Sequence, residues 1–597
     1  MIYDLTPVER QRYVAAQGKT IVTACPGSGK TTSIVYKLGQ LCHEVESANQ
    51  HAGVLCLSFT NKAVDEIRIA YMNMHGEDIR YPHEVSTIDS FLTKNIVMPY
   101  WYLHEACKKP PMITNDEAIL HNVFWHHYTK KDGKGSEACN IKEASTLAHT
   151  YSPEEIQRNG KKYYQKTTAL PEKLYAYAKS VVDYRLANGY LTSSDAMNVA
   201  LEIISKHTII AETIIRRYPY IILDEAQDTS YDQFCLIAKL LNAGLQNIEF
   251  VGDINQSIYE WRFARPDILE KLTQKEGWTY IPFVHNRRSV QRIINLYSRL
   301  VPKHRRQAIV STGIKDKNIP ILVYRYNSTN SQNVIQDFEG RCKSNELSEW
   351  LILTRGRSLG KMLSGSKDSP EYWKSPIPGM ILSSYQNFQL GNISKAVQQL
   401  AYVWSLLITK ETDYDERKTF VKSKVEDSNE STFLVNMLFQ MPDLSETFET
   451  WTSKMSAFLQ DSFNLDNKPD FEVYQRKKKF DIKKMAGSKL SSYFGSDIGP
   501  DKKGRTIQTI HSSKGTSTDA VLLFLSANNS GKQISLSLFD NDKDMTEKHR
   551  LLYVACSRAR QFLAFAVPMD FPERQIQKLL NGVKYEIKTP GVIEGLF

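Results

Sequence analysis

The chain has 597 residues, which is several times the length of an average domain, and its 41% hydrophobic and 24% charged residues are typical of a globular protein with several cores. Lys and Arg outnumber Asp and Glu by 76 to 66, an excess that permits a polyanionic partner without proving one. The eight cysteines are scattered without a C-x-x-C pair, which argues against a zinc ribbon, an iron–sulfur cluster or a disulfide framework. With no leader-like start and no apolar run of membrane-spanning length, we expect a cytoplasmic protein that does not contact a membrane.

The first motif along the chain is a glycine-rich loop, Ala24–Thr32, between a short β-branched run at 20–23 and a helical segment at 31–41. Gly27 and Gly29, with Ser28 between them, let the backbone curl so that successive N–H groups point at phosphate oxygens. The start of the following helix adds partial positive charge. This strand–loop–helix pattern predicts a nucleoside triphosphate site.

Two kinds of side chain complete such a site. Lys30 is placed to reach the β- and γ-phosphates, and the Thr31 hydroxyl is placed to bind Mg²⁺. An apolar run ends in two consecutive carboxylates, Asp224 and Glu225, which puts them at the carboxyl edge of a strand, where α/β sheets bind ligands. Asp224 is then a second Mg²⁺ ligand, and Glu225 is a base for the attacking water.

Polar side chains follow two other predicted strands. Phe59 and Asn61 stand where the strand at 53–59 turns into a helix, and Ser86 stands at a similar junction. Free backbone N–H groups at such junctions bind phosphodiesters, and an aromatic ring there stacks on a base. The alternative interpretation of either junction is a plain helix cap.

A further strand at 248–251 leads to Gln256, a candidate γ-phosphate sensor. An aromatic and basic cluster follows it, which includes Tyr259, Trp261 and Arg262. Rings that alternate with arginines are typical of single-strand binding surfaces. Burial in a core is the alternative for Tyr259, and it suits Trp261 less well because Trp261 lies between Glu and Arg.

In this order, the motifs resemble those of the UvrD/Rep/PcrA group of superfamily 1 DNA helicases. The matching stretches are 24–31, 58–63, 86–91, 224–228, 251–264, 286–289, 509–515 and 553–559. The resemblance implies an α/β fold with two RecA-like P-loop motor domains, each interrupted by a mostly helical insertion. The implied boundaries are 1–94 and 192–280 for motor domain 1A, 95–191 for insertion 1B, 281–378 and 501–597 for motor domain 2A, and 379–500 for a reduced insertion 2B.

The resemblance also implies roles for individual residues. It assigns the first motor domain's share of the ATP site to Lys30, Thr31, Asp224, Glu225 and Gln256, and it brings Arg288 and Arg558 from the second domain to the γ-phosphate. It assigns the single-strand track to Phe59, Asn61, Tyr259, Trp261, Arg355 and His511. An arginine supplied from the second domain stabilises transition-state charge only when the two domains close, so ATP binding and hydrolysis would drive stepping, with 3′→5′ polarity in the relatives.

Three positions depart from the family pattern, and all three concern the nucleoside. Glu9 stands where the family has an adenine-reading Gln, Thr32 replaces an Arg that lies against the base, and Arg287 replaces an aromatic residue. The phosphate-binding residues are unchanged. We therefore expect ATP and Mg²⁺ as cofactors, with an altered base pocket in which Arg287 is able to stack on adenine.

A narrower resemblance concerns biological role. The stretch 87–99 is similar to the corresponding part of the helicase subunit of Gabija anti-phage systems, which works with an OLD-family nuclease. This implies a DNA-dependent ATPase and helicase in a hetero-oligomer that acts on single-stranded DNA or DNA ends. The alternative is a regulatory ATPase that senses DNA ends and nucleotide and activates a partner nuclease with little unwinding of its own.

Overall fold

The structure is a computed structural model that describes residues 7–49, 51–113, 127–129, 136–138, 171–258, 264–327, 329–363, 372–389, 393–408, 414–475, 481–491, 506–540 and 544–590. The chain forms two compact units. The first unit comprises Met1–Ile294, Val301–Lys315 and Asp542–Tyr553, and the second comprises Asn295–Leu300, Asp316–Asn541 and Val554–Phe597.

The first unit is built on a six-stranded parallel sheet in the order β10-β1-β9-β8-β2-β3. The strands in this part of the chain are β1 (Lys19–Ala24), β2 (Val54–Ser58), β3 (Glu84–Thr87), β4 (Met112–Ile113), β5 (His127–Thr129), β6 (Ser136–Ala138), β7 (Tyr190–Leu191), β8 (Tyr220–Asp224), β9 (Asn247–Gly252), β10 (Thr279–Phe283), β11 (His285–Asn286) and β12 (Val310–Ser311).

Helices cover both faces of this sheet. Up to residue 315 they are α1 (Val8–Ala15), α2 (Lys30–Ala48), α3 (Asn61–His75), α4 (Ile88–Leu92), α5 (Met98–Tyr100), α6 (Pro171–Ala187), α7 (Ser193–Lys206), α8 (Thr208–Arg217), α9 (Tyr231–Asn242), α10 (Pro266–Leu272) and α11 (Gln291–Ser298). Successive residues of β8 enter opposite cores, with Ile221 and Leu223 on one face and Ile222 on the other. This double burial explains why the strands read as continuous apolar runs.

The second unit carries another six-stranded parallel sheet, in the order β15-β14-β16-β17-β13-β18. Its strands are β13 (Ile321–Tyr326), β14 (Trp350–Thr354), β15 (Thr506–Thr509), β16 (Thr518–Phe524), β17 (Ala559–Pro568) and β18 (Tyr585–Lys588). From residue 316 the helices are α12 (Ser331–Ser344), α13 (Arg357–Leu363), α14 (Ile377–Gln389), α15 (Ile393–Ile408), α16 (Tyr414–Glu426), α17 (Ser428–Gln440), α18 (Phe448–Phe463), α19 (Ile482–Ala486), α20 (Glu547–Cys556) and α21 (Glu573–Leu579).

The helices between β14 and β15 have an apolar core of their own. Leu400, Trp451 and Leu459 are buried in it, together with residues of α14, α17 and α19. A different core, which includes Leu322 and Leu522, packs against the sheet of the second unit. The helical region thus does not depend on the sheet for burial of its apolar side chains.

The predicted fold class is confirmed, since both sheets are parallel and helices alternate with the strands. Helix α2 continues to Ala48, two turns beyond the predicted end near Leu41. Strands β10 and β18 were not predicted, and both are edge strands. Strand β10 contains Pro282, which argues against a strand in the sequence. At the edge of a sheet, however, a strand tolerates proline.

The four-domain boundaries stay a prediction. Residues 281–294, which the resemblance assigned to the second motor domain, cluster with the first compact unit. Of the candidate DNA contacts, Tyr259, Trp261 and Arg262 lie outside the described residues. Within the described ranges, every helix is too short or too polar to cross a lipid bilayer.

Candidate nucleotide and nucleic-acid sites

The glycine-rich loop joins β1 to α2 and has the curled backbone that the sequence predicts. Gly27 and Gly29 have φ angles of +75° and +80°, in the left-handed region that L side chains rarely occupy. Gly29 directly precedes the first residue of α2, so the loop ends at a helix N-terminus. Backbone N–H groups and the helix dipole thus converge where a phosphate would bind.

A second segment packs against the loop and holds it. The Asn286 side-chain amide donates to the Pro26 carbonyl, and the Arg287 backbone N–H donates to the Gly27 carbonyl at 2.9 Å. A Cβ added to Gly27 would lie 2.3 Å from Arg288 Cβ. The structure thus brings Arg287 and Arg288 beside the loop, within the first unit.

Arg10 is a contact that the sequence analysis missed. This residue of α1 is 3% exposed, and its guanidinium donates to the Ser28 carbonyl at 2.8 Å. A Cβ on Gly29 would lie 2.4 Å from the same guanidinium. Its position one residue after Glu9, which the resemblance places at the base pocket, was the available signal.

Lys30 lies between the two carboxylates at the end of β8. Its ammonium is 3.0 Å from Asp224 Oδ1 and also forms an ion pair with Glu225. Burial alone would lower the pKa of Lys30, but the two carboxylates more than offset this effect and raise it. Burial raises the pKa of Asp224, against the attraction of Lys30.

Asp224 and Thr31 suit a magnesium ion. Asp224 Oδ1 is buried, and the Lys30 ammonium lies 3.0 Å from it. Thr31 lies in the first turn of α2, beside the loop. Carboxylate and hydroxyl oxygens are the ligands that Mg²⁺ prefers, so these residues fit the ion that the family implies.

Glu225 has an unusual backbone. Its φ of +52° places a non-glycine residue in the left-handed region, and its carbonyl accepts a hydrogen bond from Asp228 N–H at 2.9 Å. Such strain costs about 1–3 kcal/mol and clusters at functional sites. The short helical turn Ala226–Asp228 fixes this conformation.

Gln256 lies just beyond the neighbouring strand, β9. Its amide donates to Asp253 Oδ2 at 2.8 Å. Burial raises the pKa of the Asp253 carboxyl to about 6, while the Gln256 hydrogen bond opposes the shift. Because β1, β9 and β8 are neighbours in the sheet, the loop, Gln256 and Glu225 follow three adjacent strand ends.

Glu9 is occupied by protein groups. Its carboxylate accepts from His285 Nδ1 at 2.7 Å and from the backbone N–H groups of Val284 and His285 at 3.3 and 3.2 Å. The departure from the family pattern at this position thus serves to bind β11. Thr32 lies in the first turn of α2, half-buried.

Three of the candidate DNA contacts in the first unit, all among its described residues, share one edge of its sheet. Phe59 and Asn61 follow β2, and Ser86 is the next-to-last residue of β3. The strand register pairs Leu57 with Ser86, so both junctions lie side by side. Thr60, rather than Asn61, caps α3, because its hydroxyl accepts from Ala63 N–H.

In the second unit, the structure brings two candidates together. Arg355 Nη1 lies 3.4 Å from His511 Nδ1, because β14 and β15 pair side by side and each residue follows its strand. Arg558 is buried, and its guanidinium donates to the carbonyls of Val554 and Thr516 and to the Ser557 hydroxyl at 2.9–3.1 Å.

A parallel α/β sheet with a glycine loop, a loop lysine and a strand-end carboxylate pair defines a P-loop nucleoside triphosphatase. Residues 5–276 match the UvrD/REP helicase N-terminal domain, and residues 497–568 match the UvrD-like helicase C-terminal domain. The chain belongs to the UvrD/Rep family of DNA helicases.

Three proteins of similar sequence are named DNA helicases. The chain is 21% identical to ATP-dependent DNA helicase Rep of Buchnera aphidicola subsp. Schizaphis graminum, over 92% of this chain and 91% of that protein. It is 21% identical to DNA helicase II of Haemophilus influenzae, over 99% of this chain and 89% of the relative. Against ATP-dependent DNA helicase PcrA of Bacillus subtilis the identity is 25%, over 54% and 43% of the two chains.

Proposed function

We propose that this chain is an ATP-driven helicase that moves along single-stranded DNA with 3′→5′ polarity. The observation that carries the proposal is the ion-paired cluster of Lys30, Asp224 and Glu225 beside the glycine loop. Such a cluster has both the cation that binds a triphosphate and the carboxylates that hydrolysis needs. Membership of a DNA helicase family supports DNA as the substrate.

Each residue of the cluster has a proposed task. Lys30 leaves the carboxylates to neutralise the β- and γ-phosphates, and Glu225 then orients and deprotonates the attacking water. Asp224 and Thr31 would hold Mg²⁺, which neutralises phosphate charge when bound. Gln256 senses the γ-phosphate.

The two arginines remain assignments from the family resemblance. Arg288 has the better structural support, since its Cβ lies against the glycine loop. Arg558 is proposed to stabilise the transferred phosphoryl group. Arg287, Thr32 and Glu9 are proposed to contact the nucleoside, and the Glu9 carboxylate also binds His285.

Phe59, Asn61 and Ser86 in the first unit, and Arg355 and His511 in the second, are proposed to bind the single strand. Their location at strand ends supports this assignment, because strand-to-helix junctions present free backbone N–H groups to phosphodiesters. Tyr259, Trp261 and Arg262 belong to the same proposed track.

For the biological role, we propose the helicase subunit of a Gabija-type anti-phage complex, located in the prokaryotic cytoplasm with an OLD-family nuclease. The similarity of residues 87–99 supports it. The second candidate is a regulatory ATPase that senses DNA ends and nucleotide and activates the nuclease. The binding of Glu9 to His285 favours considering it, because an altered base pocket suits a nucleotide sensor.

A strand-displacement assay separates these candidates. The purified chain is given ATP and duplexes that carry a 3′ or a 5′ single-stranded tail, and ATP hydrolysis is measured on the same samples. If the chain is a helicase, single-stranded DNA stimulates its ATP hydrolysis, and the chain displaces a strand from the 3′-tailed duplex. Stimulated ATP hydrolysis without strand displacement supports the regulatory ATPase. ATP hydrolysis at the same rate with and without DNA contradicts both candidate functions.

A further inference from the structure

Gln227 lies between the carboxyl ends of β8 and β9, and its side chain is fully buried. Its Nε2 donates to Glu225 Oε2, and its Oε1 accepts the backbone N–H of Asp253 at 3.0 Å. One amide group thus joins the residue after β8 to the residue after β9.

The two oxygens of Glu225 have different partners. Lys30 pairs with Oε1, and Gln227 binds Oε2. In the proposed function, a triphosphate withdraws the Lys30 ammonium, and Glu225 Oε1 faces the attacking water. The bond from Gln227 to Oε2 does not involve the nucleotide and keeps the carboxylate in place.

Gly252 leaves the space that this arrangement needs. A Cβ at Gly252 would lie 2.2 Å from Gln227 Oε1 and 3.1 Å from Ala226 N. Any side chain at this position therefore displaces the Gln227 amide. Gly252 is required because the Gln227 side chain approaches it closely, and not because of its backbone conformation, since its φ angle is not positive.

The backbone of Gln227 is anchored to the same loop. Ser257 Oγ donates to the Gln227 carbonyl at 3.0 Å, and Arg550 Nε donates to the Ser257 carbonyl at 2.6 Å. Arg550 is 8% exposed and belongs to the first unit. The loop between Gly252 and Ser257 is thus held at both ends around Gln227.

We infer that Gln227 is a positioning residue for hydrolysis, which orients Glu225 through Oε2 and ties it to the loop 252–257. The inference rests on the proposed function, because it needs Glu225 to be the base. Gln227 has no assigned contact with nucleotide, so its loss affects the rate of the chemical step and spares binding. A small misplacement of a catalytic group lowers turnover by up to about 100-fold.

The test compares four variants of the full chain. Gln227→Ala removes the side-chain hydrogen bonds to Glu225, Asp253 and Asp228, Gln227→Met removes the same bonds but keeps the length of the side chain, and Gly252→Ala displaces the amide. Gln246→Ala is the control, since this exposed glutamine donates only locally, to the Gly244 carbonyl. ATP hydrolysis on a saturating single-stranded oligonucleotide gives kcat and KM, fluorescent-nucleotide binding gives Kd, and thermal unfolding verifies the fold.

We expect kcat to fall at least about 10-fold in the three test variants, with KM and Kd within about twofold of the parent and an unchanged control. Gln227→Met is the decisive variant, because it fills the space of the glutamine side chain without donating a hydrogen bond to Glu225. Parental kcat in Gln227→Met, alongside an inactive Glu225→Gln, would overturn the inference and leave the proposed function intact. No hydrolysis by the unsubstituted chain would overturn the proposed function, and the inference with it.

Discussion

Lys30 Nζ lies 3.0 Å from Asp224 Oδ1, and the same ammonium pairs with Glu225. In this arrangement the lysine compensates two carboxylates that would otherwise repel each other in a buried position. Nucleotide binding must therefore replace one set of ionic contacts by another, and the affinity for the triphosphate is the difference between them.

Lys30→Ala is expected to abolish ATP turnover and to weaken nucleotide binding, because the triphosphate loses its principal cation. Removal of one partner from a buried ion pair costs about 3–5 kcal/mol, so the thermal midpoint without nucleotide should also fall. ATP hydrolysis, nucleotide titration and scanning calorimetry measure these three effects. Lys62→Ala is the control, since Lys62 is largely exposed and pairs with Glu66 at 3.8 Å. Parental turnover in Lys30→Ala would refute the assigned site.

Gly27→Ala tests the close approach of the 286–288 segment to the loop. The new methyl group would lie 2.3 Å from Arg288 Cβ, so the segment or the loop must shift, and nucleotide binding should weaken at least about tenfold. Gly277→Ala is matched in backbone strain, because φ is +79° there and no atom lies within 4 Å of the added Cβ. Equal effects of the two substitutions on nucleotide Kd would show that only backbone strain matters.

Lys37 and Glu249 form a buried ion pair between α2 and β9, with side chains 1% and 4% exposed. Lys37 also donates to the carbonyls of Tyr13 and Ala16 at 2.9 and 2.7 Å. Lys37→Met should destabilise the protein by about 3–5 kcal/mol, because Glu249 keeps an uncompensated buried charge.

The double variant Lys37→Met/Glu249→Leu removes both charges and should recover most of that loss. The two carbonyls that lose their donor account for the remainder. Denaturant unfolding of the parent, both single variants and the double variant gives the coupling energy. Additive effects of the single substitutions would contradict the account.

Asp253 predicts a pH dependence of stability. Its pKa is about 6 in the folded chain and near 3.8 when unfolded, so the folded state binds more protons between these values. Stability from this residue is therefore full below pH 3.8 and is lost as the pH rises through 6. Asp253→Asn should therefore make stability less dependent on pH, which thermal midpoints measured from pH 4 to 7 would show. Parallel midpoint curves for parent and variant would contradict the burial cost.

The sequence predicts the central strands and the curled glycine loop well, because buried parallel strands are continuous apolar runs and the glycine loop has fixed spacing. It misses β10 and β18, one edge strand of each six-stranded sheet. Strand β10 contains Pro282, and β18 is short and only half-buried. Neither strand has the apolar pattern on which the prediction depends.

The contacts that support the site also could not be predicted from the sequence. Arg10, Asn286 and Gln227 act through contacts with backbone groups of distant segments, and such contacts follow from tertiary packing. Glu9 illustrates the limit, since its departure from the family pattern was visible but its pairing with His285 was not.

The most direct test of the account is single-turnover ATP hydrolysis by Glu225→Gln on single-stranded DNA. The substitution keeps the size of the side chain but removes the base, so ATP should bind with nearly parental affinity while the hydrolysis rate falls by about 100-fold or more. Near-parental hydrolysis by Glu225→Gln would contradict the account, because the carboxylate beside Lys30 would then have no part in the reaction.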